Sequence, residues 1–272
     1  MPVFISDKQD LTYLNWRIGK NSSGTPGTFL KAEDTVDGVH YYYKLSDYDR
    51  MRGIVGHESI NELIVSRLLD EINIPHTNYD LINANIIIYE SEINNAYVAV
   101  SKDFKEKGDR KIAMDEYFEI EHEKGESPID FCVRMDWKKY LIDMLICDFL
   151  ILNRDRHGAN IELIIKKDGK VFPAPLFDHG LSLMCRAQTD EEVKKYAPLE
   201  DKRVQSFIGG NSVKENLNIF PKTDFYDIGQ PDNEKIERIM KGLSDPLGKV
   251  RYKAISKMIK LRWEAYEDFL NS

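Results

Sequence analysis

The sequence predicts an α+β chain in two lobes, a small mostly-β lobe with one helix followed by a larger helical lobe. Three observations carry this. The first hundred residues are rich in short β-branched and aromatic runs bounded by Gly, Asp, Asn or Pro. Beyond about residue 104 the apolar pattern changes to helical spacing. With 272 residues, 42% hydrophobic and 31% charged, the chain is an ordinary globular one, long enough for a large core and two lobes. The expected division is 1–104 and 105–272.

In the first lobe the strands are GTFLKAE, VHYYYKLS, YDLINANIIIYE and NAYVAVSKDF. One helix, HESINELIVSRLLDEI, interrupts them, with Leu63, Ile64, Leu68 and Ile72 on one face. In the second lobe SPIDFCVRMDWKKYLIDMLICDFLIL reads as a helix, with Ser127 as N-cap and Pro128 at the first helical position. That apolar run breaks at NRDRHGAN and returns as two strands, IELIIKK and KVFPAPLFD, joined at KDGK, where Asp-Gly is a hairpin signal. NEKIERIMKGL and VRYKAISKMIKLRWEAYEDFL are further helices. Tyr41, Tyr42 and Tyr43 read as sheet surface and core. The basic run Lys102, Lys105, Lys107, Arg110 and Lys111 reads as a solvated loop.

A net charge of −8 argues against a broad electrostatic grip on nucleic acid or on an anionic membrane. Three scattered cysteines, Cys132, Cys147 and Cys185, suit a reducing compartment. The N-terminus MPVFISDKQD has no basic region followed by an apolar one, and runs such as FLIL and NIIIY are too short to span a bilayer. A soluble, cytoplasmic protein is expected.

The chemistry concentrates around the break in the apolar run. Asp155 and Asn160 stand as D-x4-N between a helix and a hairpin, and Asp178-His179-Gly180 follows the hairpin. Phosphoryl transfer from ATP explains these parts together. One carboxylate, Asp155, orients the attacking hydroxyl, while Asn160 and Asp178 supply the hard oxygens that Mg²⁺ prefers. Gly180 is expected to let the backbone turn sharply beside the carboxylate. In the first lobe, the Gly/Ser-rich turn NSSGTPGTF can cradle phosphate oxygens with backbone N–H groups. Lys44, inside the strand YYYKLS, can reach the α- and β-phosphates if a helix carboxylate holds it. Glu62 is the expected partner and Glu58, one turn earlier, the competitor. His157 could ligate a metal or shape its loop, and Arg154 and Arg156 could clamp substrate phosphate or form an ion pair within the loop.

These residues resemble a known family. The run NRDRHGAN, followed by FDHG and preceded by YKL and NELIVSRLLDEINIP, is similar to the HipA-like serine/threonine kinases, and FIGGNSVKENL extends the resemblance over nearly the whole chain. The resemblance implies a protein-kinase-like fold using ATP and Mg²⁺. It makes Asp155 the catalytic aspartate, Asn160 and Asp178 the metal residues and Lys44 a phosphate contact. It places a phosphate loop over Gly24–Thr28, which adds Ser23, Gly24, Thr25, Gly27, Thr28, Glu62 and His157 to the expected ATP contacts. Ser22 or Ser23 would correspond to the family's autophosphorylated serine. The substrate implied is a protein carrying Ser or Thr. Full-length HipA-type toxins carry a further N-terminal subdomain, whereas about twenty residues precede the loop here; the resemblance then implies either a compact stand-alone relative or a chain with a separately encoded antitoxin or N-terminal companion. The family's loop lysine has no counterpart in GTPGTF, so phosphate grip by the loop is expected to rest on backbone donors. Two other readings share these residues: a nucleotide-holding regulatory module, and a kinase whose acceptor is a small alcohol or lipid headgroup. A full set of Lys44, Asp155, Asn160 and Asp178 speaks against the first.

Overall fold

The computed structural model describes residues 1–20, 26–89 and 92–272, without the side chains of residues 18–20 and 26–28. The strands of the first lobe are β1 (Phe4–Asp10), β2 (Arg17–Lys20), β3 (Pro26–Val36), β4 (Val39–Lys44), β5 (Tyr48–Asp49), β6 (Gly53–Ile54), β7 (Tyr79–Ile87) and β8 (Ile93–Lys102). Six of them form one sheet in the order β1-β7-β8-β4-β3-β2, while β5 and β6 form a short hairpin. Helix α1 (Glu58–Glu71) lies between β6 and β7 in the chain. β1 runs parallel to β7, and the other sheet neighbours are antiparallel. The expected strands are present. β1, β2, β5 and β6 are additional, and β1 owes its place to a pairing with residues about eighty positions away.

Side chains alternate across a strand, so the sheet has two distinct faces. One face carries a compact core of Leu11, Leu14, Trp16, Ala32, Tyr43, Leu45, Ala84, Ile86, Ala96, Val98 and Val100. The opposite face carries Leu81, Tyr79 and Ala99, with Lys44 directly opposite Ala99. Helix α1 belongs to this second face. It is buried on nearly every side, including its polar residues Asn61, Glu62, Ser66 and Arg67. Leu63, Ile64, Leu68 and Ile72 join the core of the helical lobe. Arg67 fastens the helix from the other side, donating to the carbonyls of Pro2, Ile239 and Lys241. The small lobe is thus not an independent cap, because its one helix is shared with the larger core.

The second lobe begins with β9 (Arg110–Ala113) and helices α2 (Met114–Glu121), α3 (Pro128–Arg134) and α4 (Lys138–Ile151). The single helix expected over this stretch is two. Ser127 caps α3 through the Asp130 N–H, as its sequence position implied. The chain then turns at Asp136, whose φ of 62° is left-handed, a conformation that Asp tolerates better than most residues. The basic run also needs correction. Arg110–Ala113 is a strand, and the Lys111 ammonium lies 2.8 Å from Asp103 and 4.0 Å from the centre of the Phe104 ring.

α4 is apolar all round and fills the middle of the lobe. It stops at Leu152, a buried residue at φ 51°, which releases the chain into β10 (Asp155–Arg156). β11 (Glu162–Ile165) and β12 (Val171–Pro173) form the expected hairpin, and β9 adds to it as a third strand. At the tip, Gly169 takes φ 84° and the Lys166 N–H donates to the Lys170 carbonyl. The remainder comprises α5 (Asp190–Lys195), β13 (Gln205–Ser206), α6 (Val213–Asn216), α7 (Asn233–Met240) and α8 (Ser244–Asn271). β13 pairs in parallel with β10, and α8 bends at Gly248. Among the described residues no helix is long and apolar enough to cross a membrane.

Candidate active site

The segment after α4 is held by a buried ion pair. Asp148, a buried carboxylate of α4, accepts from Arg156 Nε and Nη2 and from Asn153 Nδ2. Arg156 Nη1 donates to the carbonyls of Asn160 and Phe177, 3.3 and 3.1 Å away. One guanidinium therefore ties α4, the loop carrying Asn160 and the residue before Asp178 to a single rigid fork. Burial alone would lower the Arg156 pKa, yet Asp148 outweighs it and holds the group charged. The phosphate-clamp reading of Arg156 is thereby corrected, since it is 1% exposed and faces inward. Arg154 is engaged by the Arg203 carbonyl at 2.8 Å.

On this frame Asp155, His157 and Asn160 form one group. Asn160 Nδ2 donates to the Asp155 carbonyl at 3.0 Å, which turns the amide oxygen the other way. His157 Nε2 lies 3.5 Å from Asp155 Oδ1 with its side chain 42% exposed, so the ring flanks the carboxylate and is not packed beneath the loop. Burial pushes the Asp155 carboxyl upward, with the nearby Asp178 charge adding to it and His157 opposing it. A raised carboxylate is a better proton acceptor than an ordinary surface aspartate.

The second group sits under the sheet. Lys44 Nζ is 3.0 Å from Glu62 Oε1 and 3.0 Å from Asp178 Oδ1, and 4.9 Å from the centre of the Tyr79 ring. Glu62 is the partner that Lys44 takes. Glu58 accepts from the Asp47 N–H instead. Burial would lower the Lys44 pKa, but Asp178 and Glu62 together hold it well above its ordinary value. Against its own burial, Lys44 and Lys31 keep Asp178 ionised far below the usual carboxylate range. Glu62 is pushed up by burial. Its second oxygen accepts from the His179 N–H at 3.0 Å. Asn61, one residue earlier on α1, donates to the carbonyls of Gly180 and Ser182. Helix α1 thus grips the Asp178 loop from two adjacent side chains.

The sharp turn in that loop falls at Asp178 itself, at φ 58°, and not at Gly180. Asp tolerates this conformation better than most non-glycine residues, and the bonds of the His179 N–H and the Gly180 carbonyl to α1 hold the loop beside it. Gly180 serves a different need. A Cβ there would meet Glu58 Cβ at 3.0 Å and the Glu58 carbonyl at 3.4 Å, so the glycine permits close approach of the loop to α1. His179 is 1% exposed, and burial pushes its pKa well down, leaving a neutral ring.

The two groups meet through Asp178, whose charge acts on Asp155, and through Arg156, which holds both loops. Ser22, Ser23, Gly24 and Thr25 lie outside the described residues, and of Gly27 and Thr28 only the backbone of β3 is described. Sequence reasoning missed three contributors. Asp148 was visible as one of two carboxylates, with Asp143, in an apolar run. Asn61 and Lys31 were not, because their roles depend on which loop α1 faces and on strand register.

No family model matches the chain, and no curated protein matches it by sequence. Among solved structures it is similar to the Helicobacter pylori proinflammatory kinase CtkA, with a TM-score of 0.67, 16% identity and 94% of each chain covered. It is also similar to a structure of the Shewanella oneidensis MR-1 toxin–antitoxin system of HipA, HipB and operator DNA, with a TM-score of 0.46 and 15% identity over 90% of this chain and 65% of that one. The first likeness bears out the kinase-like fold expected from NRDRHGAN and FDHG. The chain has the two-lobed fold of a kinase.

Proposed function

We propose that the chain is an ATP- and Mg²⁺-dependent serine/threonine protein kinase of the HipA-like type, with its lobes divided at 104/105. The observation that carries the reading is the convergence on Asp178. A buried lysine–glutamate pair from the small lobe contacts this carboxylate directly, and the Asp155–Asn160 loop lies within reach of its charge. A purely structural salt bridge has no need of a second carboxylate on the same ammonium.

In this reading Lys44 holds the α- and β-phosphates, and Glu62 fixes its direction. Asp155 orients the acceptor hydroxyl and takes its proton as the oxygen attacks the γ-phosphorus and ADP departs. The donors suit Mg²⁺. Asp178 is ionised, and Asn160 has its amide nitrogen committed and its oxygen turned away from that bond. No group of three or more His, Cys, Asp or Glu side chains able to hold a metal occurs among the described residues. Bound at Asn160 and Asp178, Mg²⁺ would neutralise charge on the phosphate oxygens. The acceptor is a Ser or Thr hydroxyl of a protein, the chain itself included, and a separately encoded antitoxin or companion is the partner to seek.

Intact-mass spectrometry tests this after incubation of the purified chain, alone and with a Ser/Thr-rich acceptor protein, in Mg-ATP. A phosphoryl group on either protein is the expected result. ATP binding without transfer to any protein would overturn the protein-kinase reading.

A further inference from the structure

Three cations stand in a row across the small-lobe sheet. Arg17 on β2 is directly opposite Lys31 on β3, and Lys31 is directly opposite Lys44 on β4. Directly opposed residues share a face of the sheet, and like charges so placed repel unless an anion lies between them. The outer member is met by Glu33, 3.7 Å from Arg17. The inner two share Asp178, with Oδ1 3.0 Å from Lys44 and Oδ2 3.7 Å from Lys31. Glu62 contacts Lys44, and the anion found beside Lys31 is Asp178.

Asp178 is also the carboxylate assigned above to Mg²⁺. Once its charge is given to a metal, Lys31 and Lys44 require another anion between them. Lys31 keeps its side chain about one quarter exposed, 26%, on the side that Asp178 faces.

We propose that Lys31 is a second phosphate-binding cation, pairing with Lys44 to hold the α- and β-phosphates of the nucleotide. This rests on the kinase reading and deepens it. The two lysines grip the polyphosphate from adjacent strands, and Asp178, no longer needed as their counter-charge, would be the residue to hold the metal. In the absence of nucleotide the same lysines cover Asp178 and keep a divalent cation away.

The test is calorimetric binding of ATP and ADP, each with Mg²⁺, and of adenosine to the full chain and to Lys31→Met, Lys31→Gln and Lys31→Arg. Loss of one charge-assisted contact weakens ATP and ADP by roughly tenfold in the Met and Gln variants. Adenosine affinity stays unchanged, and Lys31→Arg restores most of the loss. Equal weakening of adenosine would make Lys31 merely structural and overturn the proposal. So would wild-type ATP affinity in both neutral variants, which leaves the kinase reading standing. A wild-type chain that binds ATP no better than adenosine overturns both.

Discussion

Two buried ion networks lie a few residues apart and differ in how completely they are closed. Arg156 and Asp148 have side chains 2% and 9% exposed. All three guanidinium nitrogens are engaged, by the Asp148 carboxylate and by two backbone carbonyls. Lys44 and Asp178 are more exposed, at 11% and 24%, and among the described residues the ion pairs of Asp178 are with ammonium groups that could as well hold phosphate. Desolvating charge costs several kcal/mol per ion, so a buried pair persists only with its hydrogen bonds completed. The first network meets that requirement within the protein and serves as scaffold. The second is a neutral set of two lysines and two carboxylates whose partners are exchangeable.

Removing one partner from each network breaks this comparison most directly. Arg156→Met strands a buried carboxylate on α4 and unties the Asn160 and Phe177 carbonyls, so unfolding in denaturant should show a loss of about 3–5 kcal/mol. Lys44→Met should act the other way round. Turnover falls by about 10²–10³-fold, the usual effect of deleting one electrostatic stabiliser, while the denaturation midpoint shifts less than in Arg156→Met. Equal destabilisation by both substitutions would erase the distinction.

Acid sharpens it. His179 donates its backbone N–H to Glu62, and its buried ring titrates well below the ordinary histidine range; His57 is likewise pushed down to about 4 by burial and by Arg251. Below about pH 6.5 the unfolded chain takes up protons that the folded one refuses. Stability is therefore present near neutrality and lost as pH falls, by up to about 1.4 kcal/mol per pH unit for each such ring. Melting curves from pH 7 to pH 5 should fall more steeply for the wild type than for His179→Asn. The smallest effect concerns metal alone. With Lys31 and Lys44 covering Asp178, millimolar Mg²⁺ should leave the melting temperature unchanged, whereas Mg-ATP should raise it.

The sequence made legible whatever depends on neighbours along the chain. The Asp168-Gly169 hairpin, the Ser127 cap and the placement of Asp155, Asn160 and Asp178 around one hairpin follow from local chemistry. Glu62 was preferred over Glu58 as the Lys44 partner, and that pairing is the one formed. What stayed hidden is register and long-range approach. Lys31 is one lysine among many until β3 pairs with β4, and β1 is a strand because β7 is beside it. Asp136 broke an expected helix because a left-handed residue leaves no mark in hydrophobic periodicity. Gly180 was assigned a turn when its real constraint, the nearness of Glu58, comes from a helix 120 positions earlier in the chain.

Transfer of labelled γ-phosphate from ATP, with Mg²⁺, by the wild-type chain and by Asp155→Asn tests the central claim most directly. The substitution keeps the side chain's size and removes its ability to accept a proton. Transfer by the wild type, reduced about 10²–10⁴-fold in Asp155→Asn with ATP affinity retained, is the predicted result. Transfer undiminished in Asp155→Asn, or none from a wild-type chain saturated with Mg-ATP, would contradict it.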